Sequence, residues 1–111
     1  MLVASLSIVT AGCRSHGIDV TIQNNAKVSL RNAELDYPGA SFGTGSIPPG
    51  GSYWYHIKPS QDGEITLSFE QENGKTFKQK EASVGAEDNG RMIIIVDQDA
   101  NKQWSVRLEK K

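Results

Sequence analysis

The stretch Arg91-Met92-Ile93-Ile94-Ile95-Val96-Asp97 decides the fold of this chain. Its five consecutive large apolar residues include three Ile and one Val, which is typical of a strand covered on both faces, and the run is too short for a helix. Gly90 precedes the run and the turn-forming segment 97–101 follows it. We therefore predict a central strand here, with the rest of the chain supplying the covering faces.

Most of the other strands are predicted by strict alternation of apolar and polar residues, the pattern of a strand with one buried face. Segments of this kind run from Ile18 to Gln23, from Tyr53 to Ile57, from Ile65 to Phe69 and from Trp104 to Leu108. No segment shows helical spacing over three turns. The pattern predicts an all-β fold, a small antiparallel β-sandwich of about seven to eight strands, immunoglobulin-like in topology.

The connections between these strands carry their own signals. A change of apolar parity after Leu30 predicts a β-bulge near Arg31-Asn32. Residues 40–47 are interpreted as a short edge strand or an extended loop, and Pro48-Pro49-Gly50-Gly51 as a turn. Asn73-Gly74 predicts a hairpin with a type I′ turn. The predicted core consists of Ile18, Val20, Ile22, Leu35, Ile65, Leu67, Phe69, Met92, Ile94, Val96, Trp104 and Val106.

The amino terminus has an apolar stretch that leads directly to the only cysteine. Residues 1–12 have no charge and end in Thr10-Ala11-Gly12, directly before Cys13, the only cysteine. This arrangement resembles the lipobox of bacterial lipoproteins. The resemblance implies that Cys13 is lipidated and becomes the first residue of the mature protein. The alternative is a free, buried Cys13 at the end of an ordinary strand.

The resemblance divides the chain into a signal-peptide remnant (1–12), a lipidated cysteine with its tether (13–17) and a single β-sandwich domain (18–111). The residue after Cys13 is Arg14 rather than Asp, and in this respect the chain resembles lipoproteins that are sent on to the outer membrane. We expect a location in the bacterial envelope, lipid-anchored in the outer membrane and facing the periplasm or the surface. A membrane-spanning helix is not expected, because the apolar stretch of about twelve residues is shorter than the roughly twenty that a span needs.

Composition and motifs exclude several function classes. The net charge is −1 and the two signs are scattered, which argues against nucleic acid as a partner. The only histidines, His16 and His56, have no second ligand type with which to hold zinc. Gly43-Thr44-Gly45-Ser46 and Gly50-Gly51-Ser52 do not make a nucleophile elbow, and no strand-to-helix turn is predicted that could hold one. The pair Gly43 and Gly45 lacks the third glycine and the following helix of a dinucleotide site. We predict no catalytic residues, no metal and no cofactor.

A calcium loop is the alternative to a plain turn at residues 97–101. Asp97, Asp99 and Asn101 have the spacing of its first three ligands. The residues that follow supply neither the bend glycine nor the distal glutamate, so a polar hairpin turn is the preferred interpretation.

The candidate binding site is the aromatic cluster Tyr53, Trp54 and Tyr55. In a strand, Trp54 and the two tyrosines face opposite ways, so at least one large aromatic side chain lies away from the core. Prolines protect the ends of this strand while its uncharged middle stays open for pairing. The alternative is that Trp54 packs beneath a neighbouring loop or the other edge of the same sheet.

The lipobox resemblance implies a membrane-tethered envelope lipoprotein. The absence of catalytic groups favours a non-catalytic protein-binding or adaptor module, with an envelope protein as partner. The alternative is an inhibitor or immunity-type lipoprotein that blocks a toxin or hydrolase. Such a protein needs a protruding loop, and residues 40–51 or 85–90 are the candidates.

Overall fold

The computed structural model describes residues 17–110, which form eight strands. The predicted all-β sandwich is confirmed. The strands are β1 (Gly17–Asn24), β2 (Leu30–Tyr37), β3 (Ala40–Ile47), β4 (Ser52–Ile57), β5 (Gly63–Glu70), β6 (Thr76–Val84), β7 (Asn89–Gln98) and β8 (Trp104–Lys110).

The strands form two four-stranded sheets that pack face to face. The first sheet has the order β4-β1-β7-β8, and the second has the order β3-β2-β5-β6. All neighbouring strands are antiparallel except β1 and β7, which are parallel. The β1–β7 pair is the one departure from the predicted antiparallel sandwich, and the long intervening chain supplies the crossover that a parallel pair needs. The immunoglobulin-like topology stays a prediction.

Strand β7 is central, as predicted, because it lies between β1 and β8 in the first sheet. Its inner side chains, Met92, Ile94 and Val96, are buried between the sheets. On the outer face Ile95 is only 7% exposed while Ile93 is half-buried. No third layer covers this face within residues 17–110, so the neighbouring side chains of β1 and β8 bury Ile95.

The predicted core is confirmed except at the last strand. Trp104 and Val106 are only partly buried, because β8 is an edge strand with a single neighbour. The core also contains apolar residues outside the prediction: Leu30, Ala33, Phe42, Ile47, Ile57 and Val84.

The bulge near Arg31-Asn32 is confirmed. The register of β2 shifts between Leu30 and Ala33, and Asn32 has a φ of 48°. The extra residue turns Ala33 and Leu35 onto the same buried side as Leu30.

Two hairpins share one turn geometry. In the β5–β6 hairpin, the Gly74 N–H donates to the Gln71 carbonyl at 3.0 Å and Gly74 has a φ of 86°. Asn73 does not have a positive φ, so the predicted type I′ turn is wrong; the loop is a type I turn followed by a left-handed residue. In the β7–β8 hairpin, Lys102 takes the equivalent position with a φ of 63°, and its N–H donates to the Asp99 carbonyl at 3.0 Å.

Asn24 joins the end of β1 to the second sheet. Its side chain is fully buried, and Nδ2 donates to the carbonyl oxygens of Val28 and Ile47, each at 2.9 Å. Its Oδ1 accepts the N–H of Ala26 at 2.9 Å. All three bonds that the amide makes go to the main chain of the loop before β2 and the end of β3.

Candidate protein-binding edge

Strand β4 forms one edge of the first sheet and pairs only with β1. Its side chains alternate as predicted. Trp54 lies on the outer face and is 60% exposed, whereas Tyr53 is half-buried on the inner side. Ile57, on the same side as Tyr53, is fully buried and fixes the parity of the strand. The alternative that Trp54 packs beneath a loop is therefore wrong.

The two tyrosines close the open side of the sandwich. The Phe42 ring of β3 stacks on Tyr55 with ring centroids 4.4 Å apart, and on Tyr53 at 6.0 Å. Tyr37 packs against the same Phe42 ring at 6.3 Å, and burial, with a smaller contribution from Tyr55, raises the pKa of its hydroxyl. Tyr55 keeps 40% of its surface exposed, so this cluster packs β4 against β3 and leaves part of one tyrosine open to solvent.

Trp54 forms one wall of a shallow groove on the outer face of the first sheet. The groove has a volume of about 530 Å³ and is lined by Asp19, Thr21, Trp54, Arg91, Met92 and Ile93. Register explains this grouping, because Trp54 lies beside Thr21, and Thr21 lies beside Ile93 on β7. An exposed indole with acidic, basic and hydroxyl neighbours has the composition of a protein contact surface.

His56 forms a side-chain pair with Asp19 across β1 and β4. The distance from Nδ1 to the Asp19 Oδ1 is 2.6 Å, and both side chains are more than a third exposed. The ring also lies against Gly17, where a Cβ atom would stand 2.1 Å from Nε2. These contacts make His56 a partly exposed residue on the surface of the sheet.

The backbone of β4 points alternately toward β1 and toward the open edge. The Asn24 N–H donates to the Gly51 carbonyl at 2.9 Å, and in the same register Tyr53 and Tyr55 face Ile22 and Val20. Because hydrogen-bonded pairs alternate along antiparallel strands, the tyrosines bond to β1. The N–H and C=O groups of Trp54 therefore point away from β1, into the plane beyond the sheet.

The two sides of the sandwich differ in charge. Residues 40–57, which contain β3, β4 and the turn between them, include no Asp, Glu, Lys or Arg. The opposite edges, β6 and β8, carry Lys78, Lys80, Glu81, Arg107, Glu109 and Lys110. Charged side chains are a common means by which edge strands avoid pairing with other chains, so only the β3–β4 side lacks this protection.

Glu81 lies at a β-bulge in β6, which is a second feature that disfavours pairing at this edge. The register of β6 skips this residue between Lys80 and Ala82, so it is the extra residue of a bulge. Its Oε2 is buried and has no hydrogen-bond partner among the described residues. Burial raises the pKa of this carboxyl, and a hydrogen bond with Gln79 opposes the effect. An inward-facing acid at a bulge discourages strand addition.

The acidic residues of the β7–β8 hairpin brace the turn. The Asp99 Oδ1 accepts the N–H groups of Asn101 and Gln103 at 2.8 and 2.9 Å, and the Asp97 Oδ1 accepts the N–H of Gln98 at 2.8 Å. The described part of the chain contains no group of three acidic, histidine or cysteine side chains placed to hold a metal ion. The polar-turn interpretation accounts for each of these bonds.

The segments considered as inhibitory loops are short and regular. Residues 40–47 form β3, and a tight turn closed by the Gly51 N–H and the Pro48 carbonyl at 2.8 Å leads into β4. The turn after β6 is held by the Gly85 N–H, which donates to the Asp88 Oδ2 at 2.8 Å. Neither segment protrudes as a long loop.

Two predicted residues, Cys13 and His16, lie outside the described residues. Between residues 17 and 110 the chain has no helix long and apolar enough to cross a bilayer.

Comparison with known proteins places the fold alone. No protein-family model matches the sequence, and no curated protein matches it. The chain is similar to a solved structure described as the NMR structure of the protein from Eubacterium rectale, with a TM-score of 0.64 and 11% sequence identity. The similarity covers 86% of this chain and 91% of that chain. At this identity the match supports the β-sandwich architecture and carries no functional assignment.

Proposed function

We propose that this chain is a non-catalytic envelope lipoprotein, anchored through Cys13, whose β-sandwich binds another envelope protein through β4. The observation that carries the proposal is Trp54, which is 60% exposed at the centre of an edge strand without charged residues. Exposed large aromatic side chains commonly concentrate the free energy of protein binding.

The surroundings of Trp54 support a binding role. The tyrosines on either side pack on Phe42 and hold the strand in place, so little side-chain entropy is lost when a partner binds. Asp19 and Arg91 line the groove together with Trp54, so charged groups lie beside the apolar indole, as they do in protein interfaces.

The anchor places this edge close to the membrane. Three residues lie between Cys13 and Gly17, so an extended tether of four residue steps reaches about 14 Å. Ile18 at the start of β1 pairs with Ile57 at the end of β4. The Ile57 end of the binding edge therefore lies next to the tether, where an envelope partner meets it at the membrane surface.

The anchor is tested by expressing the chain with a functional export signal in a bacterium, beside a Cys13→Ser control. We expect the wild type in the membrane fraction, with the mass of a lipid-bearing cysteine in its amino-terminal peptide, and the control in the soluble fraction. An unmodified Cys13 in protein free of membrane would contradict the proposal.

Binding is tested by capture from detergent-solubilised envelope with the wild type, Trp54→Ala and the control Lys78→Ala on the opposite edge. We expect Trp54→Ala to lose the partner at unchanged thermal stability, and Lys78→Ala to keep it. Equal capture by all three, or a marked loss of stability in Trp54→Ala, would show that Trp54 is not the contact. A toxin or degradative enzyme as the captured partner would favour the inhibitor or immunity alternative.

A further inference from the structure

The centre of β4 is symmetric, because Tyr53 and Tyr55 lie on either side of Trp54. When two copies of the strand are aligned antiparallel with Trp54 opposite Trp54, Tyr53 of each copy faces Tyr55 of the other, and Ser52 faces His56. Aromatic residues directly opposite one another are among the pairs that stabilise antiparallel strands. The strand is therefore complementary to itself in this register.

The backbone groups agree with the same register. The N–H and C=O of Trp54 point away from β1, as the bond from Asn24 to Gly51 and the alternation of β4 require. In the symmetric alignment, the Trp54 groups of one copy face those of the other. A hydrogen-bonded pair forms across the twofold axis, while the bonds that Tyr53 and Tyr55 make to β1 stay intact.

Proline fixes the limits of the pairing. Pro49 lies opposite Pro59 in this alignment, so the segment from Gly50 to Lys58 is bounded at both ends by residues without an N–H. A slip of the register would place a proline opposite a residue inside the paired segment. The symmetric register is therefore the one that gives the longest continuous ladder.

Charge permits this contact on only one side of the sandwich. No charged residue lies between residues 40 and 57, and Lys58 falls opposite Gly50, so no like charges meet across the axis. The stacking of Phe42 on Tyr55 also brings β3, which is equally uncharged, to the same side. Pairing through β6 or β8 would instead bring the lysine, arginine and glutamate side chains of two copies together, which disfavours pairing at those edges.

We propose that β4 pairs antiparallel with β4 of a second copy of this chain, joining the two first sheets into one continuous eight-stranded sheet. This inference rests on the proposed use of β4 as the binding edge, and it names a second copy as the occupant of that edge. An envelope partner that uses β4 then competes with self-association.

Sedimentation velocity of the full chain over a concentration series tests the dimer, with a reductant present so that Cys13 cannot crosslink two copies. We expect wild-type dimers that dissociate on dilution. Trp54→Lys and Trp54→Glu each place like charges opposite one another, and each is expected to weaken the dimer by about tenfold or more. An equimolar mixture of the two variants is expected to form a heterodimer at least about tenfold tighter than either homodimer. Lys78→Ala, on the β6 edge, lowers the net charge by one, as Trp54→Glu does, and serves as a control that leaves the dimer unchanged.

A wild type that stays monomeric up to about 1 mM would overturn the inference. So would a mixture of the charge variants that forms no heterodimer, because residue 54 then does not face residue 54. Thermal unfolding of each variant confirms that it is folded before it is compared. The envelope capture distinguishes the two proposals. If the wild type is monomeric and Trp54→Ala abolishes capture of the partner, only self-association is rejected. If the wild type dimerises and Trp54→Ala captures the partner as well as the wild type does, only the proposed function is rejected.

Discussion

Replacement of Asn24 tests whether a single buried amide holds the two sheets together at one end. Asn24→Ala leaves the carbonyls of Val28 and Ile47 and the N–H of Ala26 without their partner. A buried polar group that loses its hydrogen bond costs about 1–3 kcal/mol, and the Val28 bond is only part-buried. We expect a loss of about 3–5 kcal/mol, a large share of the roughly 5–15 kcal/mol that stabilises such a domain.

Asn24→Asp keeps the shape of the side chain and removes only the donor. The carboxylate then faces two carbonyl oxygens in a fully buried site, which raises its pKa in the folded protein above the unfolded value of about 3.9. The folded variant therefore binds a proton more tightly than the unfolded chain, so its stability rises as the pH falls from 8 toward 4. The protonated acid also donates one of the two missing bonds.

The assay is urea unfolding of the wild type, Asn24→Ala and Asn24→Asp at several pH values between 4 and 8. The wild type provides the background pH dependence of all other groups, and the difference between it and Asn24→Asp isolates residue 24. A loss below about 1 kcal/mol for both variants at neutral pH would refute the reasoning. The same holds if the difference between Asn24→Asp and the wild type does not change with pH.

Other predictions address the core, a turn and an edge. Ile94→Ala is expected to cost about 2–5 kcal/mol in denaturant unfolding, and a loss below about 0.5 kcal/mol would show that β7 is not central. Lys102→Gly is expected to raise the free energy of unfolding by about 1 kcal/mol, because a left-handed φ of 63° strains any side chain. Gly74→Ala is expected to lower it by a similar amount for the same reason. Thermal unfolding that shows neither shift would contradict the shared turn geometry. Glu81→Gln is expected to stabilise the protein at neutral pH. Because the pKa of the Glu81 carboxyl is raised in the folded state, the wild type loses stability as the pH rises above the ordinary glutamate pKa of 4.5. The gain must vanish in acid, and a gain that is equal at all pH values would exclude the carboxylate as its cause.

Local pattern was sufficient to predict the strands with one buried face. In β1 and β5 every second residue is apolar, and only one register buries all of them. The parity change after Leu30 likewise identified a bulge before the structure showed it. Strand β3 was ambiguous because it is rich in Gly, Ser and Thr, and its buried Phe42 and Ile47 have no apolar period to identify them.

The site was predictable in part. Alternation from Ile57 separates Trp54 from the core, and the exposed indole follows from that. The roles of Tyr53 and Tyr55 did not follow, because their contact with Phe42 depends on the stacking of β3 over β4 across the two sheets. The pairing of β1 with β7 could not be predicted for the same reason. The residues of one strand set which of its faces is buried, but they do not determine which distant strand it pairs with.

The parallel pairing of β1 with β7 governs the order in which the chain can fold. Gly17 and Asn89 are register partners 72 positions apart, and closing a loop of this length costs about 4 kcal/mol of chain entropy before any contact compensates for it. While the chain is being synthesised, β1 can pair only with β4. The position of β7, between β1 and β8, stays empty until residues 89–98 have emerged. A nascent chain shorter than this can complete the second sheet but not the first, so the two sheets are expected to close on each other in one late, slow step once the last two strands arrive.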